Sequence, residues 1–88
     1  MLDFRFTNQF KKDFRLLEKR HYGMDELIDV LAGIICEEPL PERCRPHELS
    51  GNYSGFTECH VKNNWLLLCF FCEDGVVFAR TGTHSDLF

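Results

Sequence analysis

No apolar run in this chain approaches the length of a membrane span. The longest, WLLLCFFC at residues 65–72, has eight residues, against the roughly 18 that a bilayer-crossing helix needs. The opening segment, MLDFRF, has no apolar stretch behind a basic one, so no secretory leader is expected and the expected location is the cytoplasm. Glycine and proline are scarce, at six and three, which excludes fibrous and low-complexity classes. No internal repeat is present. With 44% hydrophobic and 27% charged residues, disorder is excluded as well. A chain of 88 residues has room for one core, so a single domain is expected.

Paired cysteines are also missing. The five thiols are odd in number, so free, partly buried thiols in a reducing compartment are expected. Cys69 and Cys72 have C-x-x-C spacing. In a strand, however, residues three apart face opposite sides and cannot readily converge on a metal. Both are therefore expected to be small packing residues. No two-ligand spacing of the usual kind links the histidines and cysteines, so neither metal nor cofactor is expected.

A uniform charge is lacking too. The net charge of −4 hides a basic segment, residues 1–22, with Arg5, Lys11, Lys12, Arg15, Lys19 and Arg20 against three acids. Residues 23–42 hold six acids and no base. One surface is basic and another acidic, so the global sign says little about partners.

Leu2, Phe4 and Phe6 alternate with Asp3 and Arg5, which predicts a strand with one buried face. Thr7 or Asn8 can cap a helix in which Phe10, Phe14 and Leu17 recur at helical spacing. Gly23 is expected to end it, and Asp25 to cap a second helix carrying Leu27, Leu31 and Ile34. The prolines at 39, 41 and 46 forbid a further helix. Beyond them, turn residues at 50–52 and Gly55 precede an alternating segment, with Phe56, Glu58 and His60 on one face. The run from Trp65 is apolar on both faces and reads as a central strand. EDG then turns into VVFAR. The fold expected is α+β: an N-terminal strand, two helices, then a three- to four-stranded antiparallel sheet with the helices on one face.

The unusual side chains fall in the second half: His47, His60, Trp65, Arg80, His84 and Phe88. Strand ends can bring them to one edge of an antiparallel sheet. Imidazoles can move protons at neutral pH. Arginine can hold a phosphate with two donors, and aromatic rings stack on unpaired bases. These are parts for cutting RNA through its own 2′-hydroxyl. Each residue also has a plainer use: Trp65 can be core, and Arg80 can pair with Glu58 or Glu73.

HELSGNYSGFTECHVKNNWLLL followed by RTGTHSDLF closely resembles the YafQ branch of the RelE/ParE toxin superfamily. The resemblance runs over essentially the whole chain. It implies a RelE-like fold and a metal-independent endoribonuclease that enters the ribosomal A site and cuts messenger RNA. It further implies neutralisation by a cognate antitoxin, contact with operator DNA only through that antitoxin, and no membrane. Carried over by position, it gives acid–base roles to His47, His60 and His84 and phosphate binding to Arg80. Base stacking falls to Trp65 and Phe88. Asn64 and Lys62 are further candidates for RNA contact, and the charge of the first helix makes Lys11, Lys12, Arg15 and Lys19 the candidates for ribosome or antitoxin contact. Asn64 stands where these toxins commonly have an aspartate, so either a histidine is the base or cleavage is slow. A second reading is a catalytically weakened toxin-like protein acting mainly as an antitoxin-binding module and co-repressor. The gyrase-inhibiting ParE-like branch lacks the histidine set and is disfavoured.

Overall fold

Thr7 starts the first helix: its hydroxyl accepts the Phe10 amide at 3.0 Å, satisfying one of the free donors of the first turn. A computed structural model describes all 88 residues, Met1–Phe88. The elements run β1 (Asp3–Phe6), α1 (Asn8–Lys19), α2 (Met24–Ile35), β2 (His47–Glu48), β3 (Thr57–Lys62), β4 (Trp65–Phe71), β5 (Gly75–Gly82) and α3 (His84–Leu87). Short 3₁₀ turns at Glu42–Cys44 and Gly51–Tyr53 fill the loops.

Helix boundaries differ from expectation in one respect. Gly23 is the N-cap of α2 rather than the end of α1, and Asp25 lies inside the first turn of α2. The chain turns earlier, at His21, whose φ of 64° is left-handed. Tyr22 N–H then bonds Leu17 O, and His21 N–H bonds Glu18 O, closing a Schellman motif with histidine where glycine is usual. Glu37, with φ 57°, closes α2 in the same way through Glu38 N–H to Gly33 O.

The sheet has the order β1-β5-β4-β3-β2. β2 to β5 form the expected antiparallel meander, and β1 adds to β5 in parallel. β4 is central, so both its faces are covered, and its leucines are fully buried. On one face Phe10, Leu17, Leu27, Val30 and Ile34 of the helices pack on Val61, Leu67, Val76 and Phe78. The opposite face carries a smaller cluster of Leu66, Leu68 and Leu87, flanked by Leu49, Tyr53 and Phe56. Each fully buried leucine contributes about 1.5–3 kcal/mol. The C-terminal turn α3 therefore docks on the face away from the two long helices. Nothing in the apolar periodicity points to that second layer.

β1 ends at Phe6, opposite Phe78, so β5 continues past its parallel partner. Helix α1 supplies the missing hydrogen bonds. Thr7 Oγ1 donates to Ala79 O at 2.8 Å, and Asp13 Oδ2 accepts the Thr81 amide at 3.2 Å. Asp13 is buried on the apolar stripe of α1 between Phe10 and Leu17.

Cys44, Cys59 and Cys69 are buried, whereas Cys36 and Cys72 are exposed, so Cys72 is not the packing residue expected. Burial pushes the Cys59 thiol up to about 12 and Cys69 to about 11, suppressing the reactive thiolate at pH 8. A thiol reagent at pH 8 should therefore label Cys36 and Cys72 in the native protein, and the other three only in denaturant. Rapid native labelling of three or more thiols would contradict this packing.

Candidate active site

Strand register assembles the histidines. Across the sheet, His47 pairs with Glu58, Glu58 with Leu68, and Leu68 with Arg80. The adjacent row is His60, Leu66 and Gly82. Paired residues share a face, and Leu66 and Leu68 belong to the small cluster. Both rows therefore lie on the α3 side of the sheet, from which the Arg80 guanidinium reaches back to Asp13 of α1. A register shift at Leu68/Cys69 leaves Ala79 as the extra residue of a bulge, which is what aligns Arg80 with Leu68 rather than Leu67.

Glu58 is the hub of this face. It is 6% exposed, and one carboxylate oxygen lies 3.2 Å from His47 Nε2 and 3.9 Å from His60 Nε2. His47 Nδ1 faces Arg45 O at 3.0 Å. Both nitrogens of His47 thus face oxygen acceptors. The His60 ring lies 6.3 Å from that of His47 and 6.5 Å from that of His84. Its Nδ1 is buried without a protein partner. From sequence Glu58 stood out only as a possible partner for Arg80. Its signal was present, because it alternates in phase with His60.

Asn64 holds His84. Its backbone is left-handed, at φ 56°, which asparagine tolerates better than most residues. Its Oδ1 accepts the His84 backbone N–H at 3.2 Å and lies 3.0 Å from His84 Nδ1. Because the backbone group can only donate, the amide oxygen faces His84 and Nδ1 donates to it, so in the neutral ring Nε2 is the acceptor.

The terminal segment is tied down. Thr83 and Asp86 form a capping box at the start of α3. Arg20 grips Asp86 through bonds of 2.8 and 3.2 Å, which, with the Thr83 amide, lower the carboxyl to about 2 from its ordinary 3.8. The stability this carboxylate adds is complete above its ordinary value and is lost as pH falls toward 2. Tyr53 OH donates to Leu87 O at 2.7 Å. The Phe88 ring stands edge-on to Tyr53 at 4.9 Å and 6.2 Å from His84, with 57% of its surface exposed.

Two expected contacts change. Trp65 is 2% exposed. Its Nε1 donates to Thr81 Oγ1 at 2.9 Å, and its ring meets Tyr22 edge-on at 5.0 Å. It is a core residue and cannot stack on a base. Arg80 pairs with Asp13 rather than with Glu58 or Glu73, through Nε at 2.8 Å and Nη2 at 3.2 Å. Those bonds raise the guanidinium above its ordinary value and occupy two of its five donors. Lys62 pairs with Glu26 at 2.7 Å. Lys11, Lys12, Arg15 and Lys19 are exposed along α1, on the helix layer rather than at the histidines. No three His, Cys, Asp or Glu side chains are placed to hold a metal ion together.

A family model for bacterial toxins of type II toxin–antitoxin systems, YafQ, matches residues 2–88. The chain belongs to the YafQ toxin family. The mRNA interferase toxin YafQ of Escherichia coli K12 is 34% identical over 87 residues, covering 98% of this chain and 95% of that protein. The crystal structure of YafQ from E. coli BL21(DE3) superposes with a TM-score of 0.93 at 32% identity, covering 100% of this chain and 99% of the other. YafQ within the E. coli DinJ–YafQ toxin–antitoxin complex gives a TM-score of 0.90 at 34% identity, covering 99% and 97%. The YafQ fold is thus preserved here from β1 to α3. No helix is long and apolar enough to cross a membrane.

Proposed function

We propose that this YafQ-family toxin is a ribosome-dependent, metal-independent endoribonuclease that cuts messenger RNA by attack of a 2′-hydroxyl on the adjacent phosphorus. The observation that carries this reading is the row of imidazoles His47, His60 and His84, the first two on buried Glu58 and the third beside the exposed Phe88 ring. His84 Nε2 takes the 2′-hydroxyl proton, since Asn64 fixes the hydrogen on Nδ1. The 2′-oxygen bonds to phosphorus, and the 5′-oxygen leaves with a proton from the imidazole pair that Glu58 holds. Phe88 stacks on a neighbouring base. The free donors of Arg80 reach the phosphate. A translating message and a ribosome-free copy, each incubated with the toxin, test the reading. Cutting confined to the translating message supports it. Equal cutting of both, or of neither, contradicts it.

Asn64 carries a second expectation. The amide already orients His84, so an aspartate adds only charge, which favours the imidazolium formed in proton transfer. Asn64→Asp should raise single-turnover cleavage by about tenfold. An unchanged rate in a folded variant means that the amide is already sufficient.

The cognate antitoxin is proposed to seat on the helix layer and to reach operator DNA itself. There Phe6, Phe10, Phe14, Ile28 and Ile35 line an apolar groove of about 520 Å³, rimmed by Lys11 and Arg15. Arg15→Glu with Lys19→Glu should weaken antitoxin and ribosome binding by at least tenfold each. Affinities unchanged within error would make this face merely solvated.

A further inference from the structure

The phosphate clamp that the family resemblance assigns to Arg80 is partly engaged here, because Asp13 holds two of its donors. A different set of basic side chains lies beside the histidines, two of which, Arg43 and Arg45, have no acidic partner. Arg43, Arg45, His60, Lys62 and Asn63 line a cavity of about 330 Å³ without one hydrophobic or acidic side chain. Its walls come from the 3₁₀ turn at Glu42–Cys44, the residue that closes that turn, and the end of β3. Arg45 is left-handed, at φ 41°, which turns the chain out of the 3₁₀ turn and into β2. Its carbonyl also faces His47 Nδ1 at 3.0 Å. Arg43 Nε donates to Val61 O at 3.4 Å, a long bond that leaves its two terminal nitrogens free of protein partners. Lys62 pairs with Glu26, and His60 Nε2 lies 3.9 Å from Glu58.

We infer that this cavity binds a backbone phosphate of the RNA next to the scissile one, through Arg43 and Arg45. His60 belongs both to the cavity and to the histidine cluster, so a strand lying along it would present the neighbouring 2′-hydroxyl to His84 and the scissile phosphate to His60. Arginine forks match phosphate oxygens two at a time. A polar, acid-free lining suits an anion and suits neither an apolar partner nor a cation.

The inference rests on the RNA-cleavage reading, and the two can fail separately. The probe is a single-stranded RNA oligonucleotide with a 2′-deoxy sugar at the cleavage position, bound to the full chain free of antitoxin. Arg43→Ala with Arg45→Ala should lower its affinity about tenfold and flatten the salt dependence by about 0.7 in log–log slope for each phosphate no longer neutralised. Arg43→Lys with Arg45→Lys, which keeps both charges, should restore most of the affinity and the slope. Unchanged affinity and slope in an alanine variant with the wild-type thermal midpoint overturns the subsite, provided the wild type cuts translating messages. Loss of antitoxin binding with RNA binding intact also overturns it, by making the cavity a protein-binding surface. If the wild type cuts no message, the reading beneath fails and this inference falls with it.

Discussion

Replacing His84 with alanine should lower single-turnover cleavage on programmed ribosomes by about 10²–10⁴-fold, the usual contribution of a positioned acid–base group. The thermal midpoint should hardly move. The ring is exposed, and its hydrogen bond is to Asn64, another exposed residue. The docking of α3 depends instead on the capping box, the Arg20–Asp86 pair and buried Leu87. Glutamine makes a sharper test, since it can keep a hydrogen bond to Asn64 but cannot accept the 2′-hydroxyl proton at neutral pH. His84→Gln should be as inactive as alanine. A glutamine variant with near-wild-type rate would remove His84 from proton transfer and leave it a support for the chain end.

Asp13→Ala should destabilise the fold more than any other substitution of a polar residue named above. One carboxylate serves Arg80 twice and the Thr81 amide once, and it stands in for a strand partner where β1 has ended. Breaking a buried pair by removing one member typically costs about 3–5 kcal/mol. The Arg80 side chain keeps 29% exposure, so water recovers part of that loss and about 2–3 kcal/mol is expected. Urea unfolding measures it. A loss below about 0.5 kcal/mol would show that water replaces Asp13 at the edge of β5. Asp13→Asn separates charge from shape. It keeps an acceptor for Thr81, loses the ion pair, and should cost less than alanine.

The order of elements was legible because apolar periodicity changes from helical in the first half to alternating in the second, with turn residues between. The parallel addition of β1 to β5 was not legible. A four-residue strand carries no mark of its partner. Likewise, the helix ends at His21 and Glu37 lack the glycine that usually signals a left-handed residue. The three histidines and Phe88 are gathered as the motif resemblance implied, but their connections were hidden. Glu58 was visible in phase with His60, yet its place between two imidazoles depends on β2 pairing with β3 over only two residues. Asp13 was the plainest missed signal: a carboxylate on the Phe10–Leu17 stripe needs a buried partner, and Arg80 supplies it. Trp65 was misjudged because a residue opening a two-faced strand can point either way, and the turn at Asn64 sends it toward Tyr22. Arg43 and Arg45 sit in an irregular loop, where spacing carries no information about which side chains converge.

The chemistry of the cut ends bears most directly on the proposal that imidazoles move the protons and the RNA supplies its own nucleophile. Messages cut by the toxin on ribosomes would be isolated and their new termini analysed. The expected result is a 2′,3′-cyclic phosphate, or its 3′-phosphate hydrolysis product, facing a 5′-hydroxyl. Termini with a 3′-hydroxyl and a 5′-phosphate would contradict it.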